Sequence, residues 1–239
     1  MRTLIIPDIH HHTQNAEHWL RTQQYDRVVF LGDYFDDFND TPRDATNTAR
    51  WLRERMDATE DIFLLGNHDA AYLFTGLPEL GCAGFTEQKS RAIHEVLEPH
   101  HWHRLQLAHF EQRWLVSHAG FHPVWVQEPD AEKILARCGK AMKLSERRIV
   151  DPILGAGRDR GGLLRFGGPL WMDFDTFVPI PGINQLVGHT PGNAVREKSA
   201  AGSSNYCIDV RNASVAAMVC DGKLAILTRG QGDMGNAAG

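Results

Sequence analysis

Five apolar runs in this chain each stop at residues able to bind a divalent metal, and that repetition constrains the fold more than any other feature. The runs are Leu4-Ile5-Ile6, Val28-Val29-Phe30-Leu31, Ile62-Phe63-Leu64-Leu65, Trp114-Leu115-Val116 and Leu186-Val187. They end at Asp8-Ile9-His10, Gly32-Asp33, Gly66-Asn67-His68-Asp69, Ser117-His118-Ala119-Gly120 and Gly188-His189-Thr190. An apolar run of about four residues bounded by Gly, Pro, Asn or Asp reads as a buried strand. Five such strands in one sheet place five sets of ligands along one edge. Turn residues at strand ends would explain Asp and Asn there, but not the imidazoles.

The order of elements supports an α/β fold. Strands at Thr3–Ile6, Val28–Leu31 and Ile62–Leu65 alternate with helical patterns over about Asn15–Thr22 and Pro42–Met56. Thr41-Pro42 reads as an N-cap with proline at the first helical position. This β-α-β-α-β order implies parallel strands and right-handed crossovers, with the site beyond their carboxyl ends. Further on, Thr86–Leu97 and Asp130–Leu144 read as helices. Trp102–Leu107 and Gln112–Ser117 read as paired strands, and Asp151–Gly168 as an ordered Arg- and Gly-rich loop. Strands at Gln185–Val187, Tyr206–Val210, Ala213–Val219 and Leu224–Leu227 close the chain, the last two joined by the hairpin signal Asp221-Gly222. One domain is expected over 1–229, with an unstructured tail over 230–239.

Composition narrows the function classes. Formal net charge is −5 with no block of Lys or Arg, which argues against a dedicated nucleic-acid surface. No apolar run approaches the roughly 18–20 residues that span a bilayer, and the N-terminus carries no signal-peptide pattern. The four cysteines, Cys82, Cys138, Cys207 and Cys220, have no CxxC spacing and read as reduced thiols of a cytoplasmic protein.

Carboxylate, imidazole and amide oxygen are hard or borderline ligands, suited to Mn first, then Fe, Zn, Ni or Co. Asp8 and His10 are two apart and would face one side of a strand. Asp33 is the candidate bridge between two ions, and Asn67, His118 and His189 complete the second. Two ions about 3.5–4 Å apart polarise a phosphoryl oxygen and hold a hydroxide between them. His68 is the candidate general acid, Asp36 its carboxylate partner, and Asp69 a loop fastener. An anionic substrate needs a further cation, for which Arg158, Arg160, Arg165 and Arg211 are candidates. His11 reads either as a solvated loop residue or as part of the substrate mouth. His100, His101 and His103 read as a polar surface patch rather than a further metal site.

In this order the motifs resemble the calcineurin-like metallophosphoesterases, whose blocks are D-x-H, G-D-x-x-D, G-N-H-D/E, H-x-G and G-H-x. The resemblance runs from about Leu4 to Leu227. It implies two central mixed β-sheets flanked by helices and a dinuclear hydrolase site. Gly188-His189-Thr190-Pro191 has a single His, similar to the phosphoprotein phosphatase and diadenosine tetraphosphatase branch. Leu170-Trp171-Met172-Asp173 and Cys207-Ile208-Asp209 look like later landmarks of that branch. Two positions depart from it. Asp37 and Phe38 stand where the branch has Arg-Gly after G-D-x-x-D, and His11 follows His10 where it has Gly. The resemblance therefore implies a metal-dependent phosphomonoesterase acting on a phosphorylated small molecule, nucleotide or phosphoprotein. A nucleotide or dinucleoside-polyphosphate hydrolase and a non-catalytic binding scaffold of the same fold stay open.

Overall fold

A computed structural model describes residues 1–211 and 214–229; the tail expected over 230–239 lies outside them. Two mixed sheets stack face to face with helices outside. The first sheet has the order β11-β10-β1-β2-β3-β4. Its strands are β1 (Arg2–Ile6), β2 (Arg27–Phe30), β3 (Ile62–Leu64), β4 (Leu105–Gln106), β10 (Val215–Cys220) and β11 (Lys223–Thr228). β1 to β4 are parallel neighbours, while β10 runs antiparallel to both β1 and β11. The second sheet has the order β5-β6-β7-β9-β8, from β5 (Ala108–Glu111), β6 (Trp114–Ser117), β7 (Asn184–Val187), β8 (Arg196–Ala200) and β9 (Ser203–Cys207). β6, β7 and β9 are parallel.

The apolar runs are continuous because both faces of these strands are covered. Ile5, Val29 and Leu64 point between the sheets and meet Val116, Leu186 and Ala217. Their neighbours Leu4, Ile6, Val28, Phe30 and Phe63 point outward onto helices α1 (Thr13–Thr22) and α2 (Pro42–Ala58), against Trp19, Ala45, Ala49 and Leu52. The outer face of the second sheet is covered by Met172, Phe174 and Phe177, which pack on Val187 and Cys207. α2 starts where the sequence places it. Asp44 N donates to Thr41 Oγ1 and Thr41 N donates to Asp44 Oδ2, forming a reciprocal cap behind Pro42.

Three expectations need correction. The five motifs do not share one sheet: three follow β1, β2 and β3, and two follow β6 and β7 of the second sheet. Trp102–Leu107 is not the partner of the strand ending at Ser117. Trp102 closes the short helix α5 (Pro99–Trp102), β4 pairs with β3, and the hairpin partner of β6 is β5. The helix at Thr86–Leu97 is shorter, α4 (Glu87–His94). The Asp221-Gly222 hairpin turn forms, with φ of 50° and 75° at the two residues. α3 (Asn67–Leu73), opening at the third motif, and β8 escaped sequence reading; α6 (Ala131–Glu146) lies close to its expected range. No helix among the described residues is long and apolar enough to cross a membrane.

Candidate active site

The motif loops of both sheets meet at one end of the sandwich. Asp8 and His10 lie past the end of β1, so their convergence does not come from strand alternation. It comes from the loop backbone, where His10 takes a left-handed φ of 42°. Asp33, Asp36 and His189 are also left-handed, with φ of 47°, 65° and 66°. Such conformations cost about 1–3 kcal/mol each and cluster where side-chain direction matters more than backbone comfort. The glycines serve close approach. A Cβ on Gly66 would lie 2.1 Å from Asp33 Oδ1, and one on Gly188 would lie 2.1 Å from Asp8 Oδ1.

Hydrogen bonds between loops fix this geometry. His189 N donates to both Asp8 oxygens, at 3.2 and 3.1 Å, tying the fifth motif to the first. His68 N donates to Asp33 Oδ1 at 2.9 Å, tying the third to the second. Asp69 accepts from Tyr34 N at 2.8 Å and Gly66 N at 2.9 Å, in the geometry of a loop fastener.

Two groups of ligand-capable atoms result, each within 4.8 Å: Asp8, His10 and Asp33, and Asp33, His118 and His189. Asp33 belongs to both. The second group admits a direct test of fit to a cation. His118 Nδ1 lies 2.9 Å from Leu31 O, so it carries the hydrogen and leaves a lone pair on Nε2. That lone pair faces Asn67 Oδ1 at 3.0 Å and Asp33 Oδ2 at 3.4 Å. The amide turns its carbonyl inward, with Asn67 Nδ2 donating to Cys82 Sγ at 3.1 Å. Three acceptors converge on one point, and only a proton or a metal cation satisfies them. His10 repeats the pattern: Nδ1 sits 2.6 Å from Asp36 O, and Nε2 faces Asp33 Oδ2 at 3.6 Å. The residues therefore fit divalent metal.

Buried charge points the same way. Burial, then repulsion from Asp8, pushes the Asp209 carboxyl up to about 7. Burial, then Asp33, pushes Asp69 up to about 7. Burial pulls the His118 imidazole down, but Asp33 and Asp8 outweigh it and hold its pKa near 9. Burial, then His118, pushes His189 well below its ordinary value. Burial and neighbouring carboxylates thus favour protons on Asp209 and Asp69, and the Asp33 and Asp8 charges favour one on His118.

Beside this cluster, His68 Nδ1 lies 3.0 Å from Asp36 Oδ2. Burial lowers the His68 pKa, yet Asp33, Asp36 and the Cys82 thiol outweigh it and raise it to about 11. The His68 ring stands edge-on to that of His10, with centroids 5.2 Å apart.

A family model described as calcineurin-like phosphoesterase matches residues 1–193, which include all five motifs. The chain belongs to that family. No curated protein sequence matches it. Among solved structures it resembles the cold-active protein-tyrosine phosphatase of a psychrophilic Shewanella species, at TM-score 0.55 and 15% identity over 95% of this chain and 80% of that one. It also resembles a protein serine/threonine phosphatase from Saccharomyces cerevisiae, at 0.53 and 14% over 96% and 79%. A candidate diadenosine tetraphosphatase aligns at 0.50 and 18% over 96% and 94%. At these identities the likeness concerns the phosphoesterase fold.

Asp37 stands where the resembled branch has Arg, and the structure sorts the other candidate arginines. Arg160 lies at the metal-site edge. Its Nε is 2.9 Å from Asp173 Oδ2, and an outer nitrogen donates to Thr190 Oγ1 at 3.2 Å, one residue past His189. Arg158 is exposed on the same turn, Arg165 is exposed with its guanidinium 5.1 Å from the Phe166 ring, and Arg211 is exposed. His11 is neither solvated nor at a mouth. Its ring nitrogens are held by Thr48 Oγ1 at 2.8 Å and Asp40 Oδ2 at 2.9 Å. Asp37 pairs with His12 at 3.0 Å. Sequence reasoning missed Cys82, Lys89 and Tyr72, which touch the site from a loop, from α4 and from the part of α3 beyond its motif. The patch of Asp57, His100 and His101 makes a poor metal site. His101 Nδ1 accepts from Glu98 N at 2.9 Å, so Nε2 carries the hydrogen that reaches Asp57 at 3.0 Å.

Proposed function

We propose that the protein is a dinuclear metal-dependent phosphomonoesterase. The observation that carries this reading is the sharing of Asp33 between two ligand-capable triads. Asp8, His10 and Asp33 would hold one ion, and Asp33, Asn67, His118 and His189 the other. Manganese is the first choice for this mixed oxygen and nitrogen set. Metals bound there supply Lewis-acid polarisation of the phosphoryl group and a water nucleophile of lowered pKa.

The chain's own residues do the rest. His118 and His10 are fixed in one tautomer by the Leu31 and Asp36 carbonyls, so their Nε2 lone pairs are pre-aimed. Asn67 is held carbonyl-inward by Cys82. Asp36 orients His68 and holds its proton, and His68 delivers that proton to the leaving oxygen. Arg160 supplies positive charge at the substrate edge, in the role the branch assigns to the arginine missing at Asp37. Arg158, Arg165 and His11 are not assigned substrate contacts. The substrate is a phosphorylated small molecule or a phosphoprotein. Unpaired cysteines at all four positions support a reducing, cytoplasmic setting.

A second reading, hydrolysis of a nucleotide or dinucleoside polyphosphate, is favoured by Trp171. This half-buried ring stands edge-on to His189 with centroids 6.0 Å apart, beside Arg160's partner Asp173, where a base would find a surface. Assays of p-nitrophenyl phosphate, bis-p-nitrophenyl phosphate, phosphopeptides and dinucleoside polyphosphates with each metal separate the readings. Metal-dependent turnover of monoesters above the rest supports the first. Preference for the polyphosphates supports the second, and absence of both bound metal and turnover indicates a scaffold.

A further inference from the structure

The proton-delivering pair has an unexpected neighbour. Lys89, on α4, is 3% exposed and carries no motif. Its ammonium lies 2.6 Å from Asp36 Oδ1 and 2.9 and 2.8 Å from the two oxygens of Asp40. Tyr72 OH donates to the same Asp36 Oδ1 at 2.5 Å. Gly84 closes over the carboxylate, where a Cβ would come within 2.8 Å of Asp36 Cγ. Asp36 is therefore gripped on one oxygen by two donors. Only Oδ2 is left for His68 Nδ1.

Burying an ammonium is costly, and a buried ion pair is weak evidence for stability. Burial opposes the Lys89 charge, yet hydrogen bonds to Asp36 and Asp40 outweigh it and hold its pKa above the ordinary value. The cation is thus permanent, and it sits on the carboxylate that orients the candidate general acid. A carboxylate held on one oxygen presents the other to an imidazole in a single direction.

We propose that Lys89 is a positioning residue for proton delivery: with Tyr72 it occupies Asp36 Oδ1, so that only Oδ2 remains to orient His68 Nδ1. The proposal rests on the reading of His68 as general acid. Lys89 acts through Asp36 and touches no reacting atom.

Lys89→Gln, which removes the charge but keeps donors, and Tyr72→Phe, which removes the second donor, test it in the full-length chain loaded with manganese. Melting temperature and bound manganese per chain establish that each variant is folded and loaded. If Lys89→Gln does not fold, Tyr72→Phe carries the same test. For Lys89→Gln, kcat/KM on phenyl phosphate is expected to fall about tenfold, and on p-nitrophenyl phosphate by less than about threefold, because the better leaving group needs less proton assistance. Tyr72→Phe shifts the same way by a smaller factor. In a His68→Ala background neither substitution adds a further loss, since residues acting through one group are not additive.

Equal losses on both esters, no loss, or an additional loss in the His68→Ala background would overturn the proposal and leave Lys89 a structural ion pair. A second readout does not depend on turnover. In the metal-free protein, the downfield proton resonance of His68 Nδ1, assigned by its absence in His68→Gln, moves in Lys89→Gln; an unmoved resonance contradicts the arrangement. Failure of the unaltered protein to turn over any monoester would instead count against the function proposed above, and the resonance would still decide the placement of Lys89.

Discussion

At the scale of single residues, the site works by removing choices. The Leu31 carbonyl fixes the tautomer of His118, the Asp36 carbonyl engages His10, and Cys82 fixes the amide of Asn67. Each leaves one lone pair facing inward. His68→Ala is expected to keep both metals and slow phenyl phosphate hydrolysis by about 10²–10⁴-fold, the range typical of a lost general acid. The effect on p-nitrophenyl phosphate should be much smaller, and equal slowing of both esters would exclude the role. Arg160→Ala should raise KM more than it lowers kcat if its charge binds the phosphate in ground and transition states alike; an unchanged KM would remove it from the substrate edge. The motif residues were legible in the sequence because each ends an apolar run. Cys82, Lys89 and Tyr72 were not, because only folding brings a loop, α4 and α3 against Asp36 and Asn67. His11 read as a solvated or a substrate-mouth residue for the same reason: its partners Thr48 and Asp40 are 37 and 29 residues away.

At the scale of elements, loops matter more than strands in aiming the ligands. Gly66→Ala is expected to cost both stability and metal binding, since its Cβ would come within 2.1 Å of Asp33 Oδ1 and 2.3 Å of the Asp33 backbone nitrogen. Near-normal metal content in that variant would contradict this. By contrast, Thr41→Ala removes only the cap of α2 and should cost about 0.5–2 kcal/mol in chemical denaturation with metal content unchanged. The α2 cap and the Asp221-Gly222 turn were readable because their chemistry is local. The division of motifs between two sheets was not. A buried parallel strand looks alike in either sheet, and the apolar ends of β6 and β7 resemble those of β1 and β2. The pairing of β5 rather than Trp102–Leu107 with β6 was hidden because Trp102 suits a strand and a short helix equally.

At the scale of the whole molecule, two sheets converge on a buried cluster of carboxylates and imidazoles, and pH should report it. In the metal-free protein Asp69 and Asp209 are raised to about 7, His118 to about 9 and His68 to about 11. Groups with raised folded pKa favour the fold fully below their ordinary values, and that contribution is lost as pH rises through the folded ones. The window runs from the ordinary carboxylate value up to about 7 for the two aspartates, and from the ordinary imidazole value up to about 9 and 11 for the histidines. Asp33 and Asp36 are held below the ordinary carboxylate value, Asp33 by His118 and His68 and Asp36 by hydrogen bonds from His68 and Lys89, each against burial. Their contribution is present above that value and is lost only in acid. The metal-free protein should therefore melt lower at pH 9 than at pH 6, and manganese should flatten the slope while releasing protons on binding. An apo melting temperature that rises between those pH values would contradict the charge account.

The central claim is that Asp33 holds two metals at once. The most direct measurement is bound manganese per chain, with p-nitrophenyl phosphate turnover, in the unaltered protein and in Asp33→Asn. The account predicts two ions and metal-dependent turnover in the first, and loss of at least one ion with turnover down by about 10³-fold or more in the second, the scale of losing a principal electrostatic group. Two ions retained with turnover intact in Asp33→Asn, or a single ion supporting full turnover in the unaltered protein, would contradict it.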